Sequence, residues 1–146
     1  MCGIIGITSS KPVSSAIINS LRKLEYRGYD SAGLATLSGG IINEVKSEGR
    51  VENLEKNIAI KNMQGSVGIG HVRWATHGIP NTVNAHPHSS NNVSIVHNGI
   101  IENSTILKKF LISKGHKFKS QTDTEVIVHL ITEYLKENDL KNSIIK

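Results

Sequence analysis

The chain has 146 residues, 38% hydrophobic and 20% charged, with one cysteine and a formal net charge of +5. That composition suits a single soluble domain able to bury a core, and no run approaches the roughly 18 apolar residues of a membrane span. Scattered lysines and 4% aromatics, with no basic run, argue against nucleic acid, and a lone cysteine excludes an internal disulfide and points to a reducing cytoplasm.

Residues 2–9 are short, apolar and glycine-punctuated, which predicts a buried strand. Cys2, the only cysteine, stands in this strand one residue from the start. If Met1 is removed, Cys2 carries both a thiol and the chain's α-amine. An ordinary thiol titrates at about 8.5 and an ordinary α-amine at roughly 7.7–8.0, so such a residue can supply nucleophile and general base together.

The next segment, KPVSSAIINSLRKLEYRG, aligns Val13, Ala16, Ile17, Leu21 and Leu24 on one helical face. Pro12 suits its first turn and Gly28 its stop. SAGLATLSGGIINEVKS reads as two strands joined at Gly39-Gly40, and residues 50–61 as a helix through Val51, Leu54 and Ile58. SVGIGHVRW and NVSIVHNG read as two further strands separated by a polar loop.

A helix over 104–114 turns Ile106, Leu107, Phe110 and Leu111 inward and ends at Gly115. TDTEVIVHLITEYLKEN predicts another, with Thr122 and Glu125 at capping-box spacing and an apolar face through Val126, Ile127, Leu130, Ile131 and Leu135. NDLKNSIIK starts a new helical pattern at Asp139. The order of elements predicts an α+β domain with hairpin-built sheets.

Three polar clusters could carry chemistry, and each also has a plain structural reading. Arg73 in HVRWATHG offers a planar fork of donors that fits a carboxylate, or it is a surface arginine beside a core-packed Trp74. Asn98-Gly99 is either a turn or an oxyanion site made of a side-chain amide and a backbone N–H. Asp123 either stabilises the first turn of a helix or pairs with a substrate ammonium. His71, His77, His86, His88 and His97 crowd 27 positions, but their spacing matches no common zinc pattern, so no metal is expected.

Together, MCGIIG, LEYRGYDSAGLA, HVRWATHG, NAHPH, VHNGIIEN and TDTEV, in this order, resemble the glutamine-hydrolysing domain of the class II glutamine amidotransferases. These are N-terminal-nucleophile hydrolases, and the likeness runs from Cys2 to about Lys136. RGYDSAG, RWATHG and AHPH followed by HNGIIEN are most similar to the branch that aminates fructose 6-phosphate. Other branches, such as amidophosphoribosyltransferase, share the leading Cys-Gly and a later Asn-Gly.

The resemblance implies an α+β, four-layer αββα sandwich, with residues 2–146 as its N-terminal part. The rest of the domain, and the sugar-isomerase-like lobes that bind fructose 6-phosphate, would lie outside this sequence. It implies hydrolysis of L-glutamine through a Cys2 thioester, with Asn98 and Gly99 holding the oxyanion. Arg73 would take the substrate α-carboxylate and Asp123 its α-ammonium. Thr76 and His77 belong to a loop that closes over glutamine, and Trp74 is tied to ammonia passage. His86 and Arg27 resemble family positions near the site without a definite role.

No cofactor, metal, nucleic acid or membrane is expected as a partner, and the full-length enzyme would be a cytoplasmic homo-oligomer. Two alternatives are the glutaminase domain of another class II member and a glutamine-binding fragment without catalysis.

Overall fold

The computed structural model describes residues 2–74 and 78–145. Strand β1 (Gly3–Thr8) leads through Pro12 into helix α1 (Ser14–Leu24). A single 3-10 turn over Glu25–Arg27 follows and stops at Gly28, whose φ of 112° favours glycine. Strands β2 (Ser31–Ser38) and β3 (Ile41–Glu48) form a hairpin. Ser38 pairs with Ile41 and leaves only Gly39 and Gly40 in the loop, at φ of 56° and 78°. Positive φ at both positions is what a two-residue turn matched to strand twist requires.

Helix α2 (Val51–Lys61) and strand β4 (Val67–Arg73) complete the first half. Glu25 Oε1 accepts the Val51 N–H at 2.7 Å, so an acid from the preceding turn satisfies one orphan donor at the start of α2. The four strands form one antiparallel sheet in the order β1-β4-β2-β3.

Strand alternation gives this sheet two distinct faces. Ile5, Ile7, Ala32, Leu34, Val45 and Val72 point to the core, which Val13, Ile17, Ile18 and Leu21 of the α1 region and Val51 and Leu54 of α2 close. Ile18 joins this face where Ala16 was expected, and Ala16 is exposed. A Cβ on Gly70 would meet Ile17 Cγ2 at 2.5 Å, so glycine lets α1 lie directly on β4.

The second half is thinner. Strands β5 (His88–Ser90) and β6 (Val93–Ile95) pair as a short hairpin turned at Asn91-Asn92, with Asn91 at φ 49°. Helices α3 (Ser104–Ser113) and α4 (Glu125–Tyr134) follow, then α5 (Leu140–Ile145). α4 packs on β5 and β6, and α3 on α4.

The segment entering β5 lies against the open face of the large sheet. Lys46 Nζ donates to the Pro87 carbonyl at 3.1 Å, and a Cβ on Gly33 would fall 2.1 Å from the His86 carbonyl oxygen. The result is the four-layer αββα order, with two strands in the second sheet.

Several expectations are corrected. β5 lies inside what read as a polar loop, because three residues of His-Ser-Ser carry no apolar alternation. Of the expected inward face of α3 only Leu111 is buried, while Ile106 and Phe110 are exposed. The capping box does not form. Glu125 accepts instead from the Lys119 N–H at 2.8 Å, the Ser120 N–H at 2.7 Å and the Ser120 hydroxyl at 2.7 Å. α4 therefore buries a polar stripe of Glu125, His129 and Thr132 beside Val126 and Val128, and leaves Ile127, Leu130 and Ile131 half-buried.

Among the described residues no helix is long and apolar enough to cross a membrane.

Candidate functional site

A cavity of about 620 Å³ opens where the face of the large sheet opposite the core meets the second half. Its lining includes Cys2, Arg73, Trp74, Asn98, Gly99 and Asp123. Segments up to 121 positions apart in sequence thus converge on one space. Thr76 and His77 lie outside the described residues.

Cys2 precedes β1 and lies beside the end of β4. The Trp74 N–H donates to Cys2 Sγ at 3.1 Å, and Sγ lies 3.4 Å from the Trp74 carbonyl. Trp74 is not a core residue: it is 53% exposed, and its ring sits over Gly28, where a Cβ would meet a ring carbon at 2.4 Å.

Arg73 is not a surface residue either, at 4% exposure. Its Nη1 lies 3.5 Å from Asp30 Oδ1 and its Nη2 donates to the Gly78 carbonyl at 3.2 Å. The same strand parity that sends Val72 to the core sends His71 and Arg73 to the cavity side.

Asn98-Gly99 is not the turn of a hairpin but an irregular stretch between β6 and α3. Asn98 Nδ2 donates one hydrogen to the Cys2 carbonyl at 3.3 Å, which leaves the amide a second. A Cβ on Gly99 would fall 2.8 Å from His97 Nε2, so the close approach of that ring requires glycine.

Asp123 precedes α4 rather than lying in its first turn, which Glu125 occupies. It is 8% exposed, and Oδ2 accepts the Ile101 N–H at 2.6 Å. That bond ties the start of α4 to the stretch after Gly99.

Along the inner wall of the pocket, three histidines form a buried column, of which His71 and His86 line the cavity. His71 and His86 stack with centroids 4.3 Å apart, and His88 meets His86 edge-on at 4.7 Å. His86 Nδ1 accepts the His97 N–H at 3.3 Å, and His88 Nε2 lies 2.9 Å from the Thr122 hydroxyl. Burial lowers the His71 pKa to about 4 and that of His88 to about 3. Burial also lowers that of His86, helped by repulsion from His71. The rings are neutral at neutral pH, so the column carries no charge.

The sequence reading weighed these histidines as a metal set and, by resemblance, put His86 near the site, but it gave His71 and His88 no role. The signal it passed over was parity: His71 stands two residues from Arg73 on one strand and so shares its face. The site combines a thiol, a side-chain amide beside a glycine N–H, one buried guanidinium and one buried carboxylate. That set fits nucleophilic attack on the amide of a small zwitterion.

Comparisons with known proteins agree with this chemistry. A family model described as "Glutamine amidotransferase domain" matches residues 56–141. The chain is 53% identical, over all of its length, to 24% of the glutamine–fructose-6-phosphate aminotransferase (isomerizing) of Clostridium acetobutylicum. It is 50% identical, over 94% of its length, to 22% of the enzyme of that name from Agrobacterium fabrum. It thus spans about a quarter of the length of the curated relatives it matches.

Among solved structures, the glutamine phosphoribosylpyrophosphate amidotransferase of B. subtilis, complexed with ADP and GMP, superposes with a TM-score of 0.81 at 30% identity, covering 99% of this chain and 31% of that one. A structure described as the allosteric regulatory enzyme of purine biosynthesis gives a TM-score of 0.82 at 30% identity, covering 99% and 32%.

Proposed function

The chain belongs to the glutamine amidotransferase domain family, and from that premise we propose that its pocket hydrolyses the side-chain amide of L-glutamine to glutamate and ammonia. The observation that carries this reading is the convergence of Cys2, Arg73, Asn98, Gly99 and Asp123 on one cavity of about 620 Å³. The Cys2 thiol attacks the amide carbon. Its α-amine, free once Met1 is removed, takes the thiol proton and returns one to the departing ammonia.

The second Asn98 Nδ2 hydrogen and the Gly99 N–H hold the oxyanion, each such donor contributing roughly 2.7–4 kcal/mol in comparable sites. Water then releases glutamate from the thioester. Arg73, anchored by Asp30 and the Gly78 carbonyl, receives the α-carboxylate, and Asp123 accepts from the α-ammonium. Charge pairing at both ends is what separates glutamine from simple amides. Trp74, half exposed at the edge of the cavity, lines the way in and out.

The glutaminase step uses no cofactor or metal. The relatives near 50% identity carry the name of a fructose 6-phosphate aminotransferase, whereas the two solved structures stand at 30%. Fructose 6-phosphate is therefore the acceptor we assign, reached through parts outside this chain in a cytoplasmic homo-oligomer.

The test is an intact mass after incubation with a glutamine-shaped electrophile, run beside a glutamate-release assay. One adduct on a chain lacking one methionine, blocked by excess glutamine and absent in Cys2→Ala, is the expected result. Glutamate release by Cys2→Ala would overturn the mechanism. Glutamine protection without glutamate release would favour a binding module instead.

A further inference from the structure

His71 is the most buried polar group facing the pocket, at 1% exposure, and the reaction as written gives it nothing to do. Its Nε2 lies 2.9 Å from Asn98 Oδ1. The surroundings decide who donates. The Cys2 carbonyl can only accept, so the Asn98 atom facing it at 3.3 Å is Nδ2, and the atom facing His71 is the amide oxygen. An amide oxygen also only accepts, so His71 must carry its proton on Nε2. Its Nδ1 meets no hydrogen-bond partner of good geometry among the described residues, although the His97 backbone lies near enough to the ring to favour its protonated form, so the short contact to Asn98 decides the tautomer. Stacking on His86 at 4.3 Å and 23° fixes the plane of the ring.

We propose that His71 is a positioning residue: as the Nε2–H tautomer it holds the Asn98 amide in the one orientation that turns a hydrogen of Nδ2 into the oxyanion site. This deepens the glutaminase reading and rests on it. Without the imidazole donor, the amide is held among the described residues only by the Cys2 carbonyl. It can then flip, which would present an oxygen to a developing negative charge. Such a flip removes stabilisation made only in the transition state, so it lowers kcat and spares KM.

The test compares the unaltered protein with His71→Gln and His71→Asn. A glutamine side chain places its amide nitrogen near the position of Nε2, and an asparagine near Nδ1. His71→Asn should lower kcat for glutamate release by roughly 10- to 100-fold, less than the 100- to 1,000-fold of removing an oxyanion donor outright. KM should stay within about twofold and Cys2 alkylation by iodoacetamide should be unchanged. His71→Gln should keep kcat within about threefold of the parent.

Equal kcat in His71→Asn and the parent would overturn the inference, as would His71→Gln falling as far as His71→Asn. If His71→Asn does not melt cooperatively, the 15N spectrum of the imidazole in the unaltered protein decides. A protonated Nε2 with a bare Nδ1 is expected, and the opposite tautomer refutes the assignment. A parent that releases no glutamate overturns the functional reading itself, and with it the role given to His71, whichever tautomer is found.

Discussion

Replacing Asp123 by asparagine separates charge from shape at the ammonium end of the pocket. The carboxylate has two jobs in the structure. Oδ2 accepts the Ile101 N–H at 2.6 Å, and the group as a whole lines the cavity. Alanine would remove both, leaving a partly buried N–H without its acceptor at a cost of about 1 kcal/mol in stability. Asparagine keeps an acceptor for Ile101 and turns the other position into a donor facing a cation.

The loss is then one hydrogen bond between charged groups, about 1.5–3 kcal/mol. At 1.4 kcal/mol per factor of ten, that is a rise in KM for glutamine of roughly 10- to 150-fold. The ammonium is as charged in the ground state as in the transition state, so kcat should stay within about threefold. Steady-state glutamate release over a wide glutamine range, with a urea melt of the same sample, measures both quantities. An unchanged KM in a fully folded variant would refute the pairing. A melt shifted as far as that of Asp123→Ala would show that Asp123 serves mainly to tie down Ile101.

Two further predictions concern the frame. Gly33→Ala should destabilise the protein by about 2 kcal/mol or more, because the new Cβ would lie 2.1 Å from the His86 carbonyl and neither main chain can yield without parting the sheets. A urea midpoint equal to the parent's would refute that contact. Acid should weaken the fold through the histidine column. The unfolded chain binds these protons near pH 6.5, whereas folded His71 binds its own only at about 4 and His88 at about 3, so stability is full above 6.5 and falls as pH drops towards 4. The slope is roughly 1.4 kcal/mol per pH unit for each ring that stays neutral, and urea midpoints that do not move between about pH 7 and 5 would reject it.

The long periodic segments were legible from their residues. β1, β2, β3, β4, α2 and α3 lie within a residue or two of where apolar spacing, the Gly39-Gly40 pair and Gly115 put them, whereas α1 and α4 are three or four residues shorter at each end than the segments read as helical. What local pattern missed is what tertiary partners decide. His88–Ser90 becomes a strand only because Val93–Ile95 and α4 meet it. Glu125 abandons Thr122 because the Lys119 and Ser120 N–H groups come closer.

At the candidate site, residue type and order singled out Cys2, Asn98 and Asp123, and the structure brings all three to one cavity. The burial of Arg73 and the exposure of Trp74 were not legible, because periodicity says which residues share a face and not what covers it. His71 stayed hidden for a related reason: its partner is an amide 27 positions away.

The alternation along β4 has a consequence for anyone who wishes to alter this protein. Gly68, Gly70 and Val72 answer to the helices, while Val67, Ile69, His71 and Arg73 face the other way, with the last two lining the cavity. Seven consecutive residues therefore carry two interleaved alphabets with separate grammars. A library that varies only the first searches stability at nearly constant reactivity, and one that varies only the second does the reverse. A library that varies neighbours together confounds the two at every step.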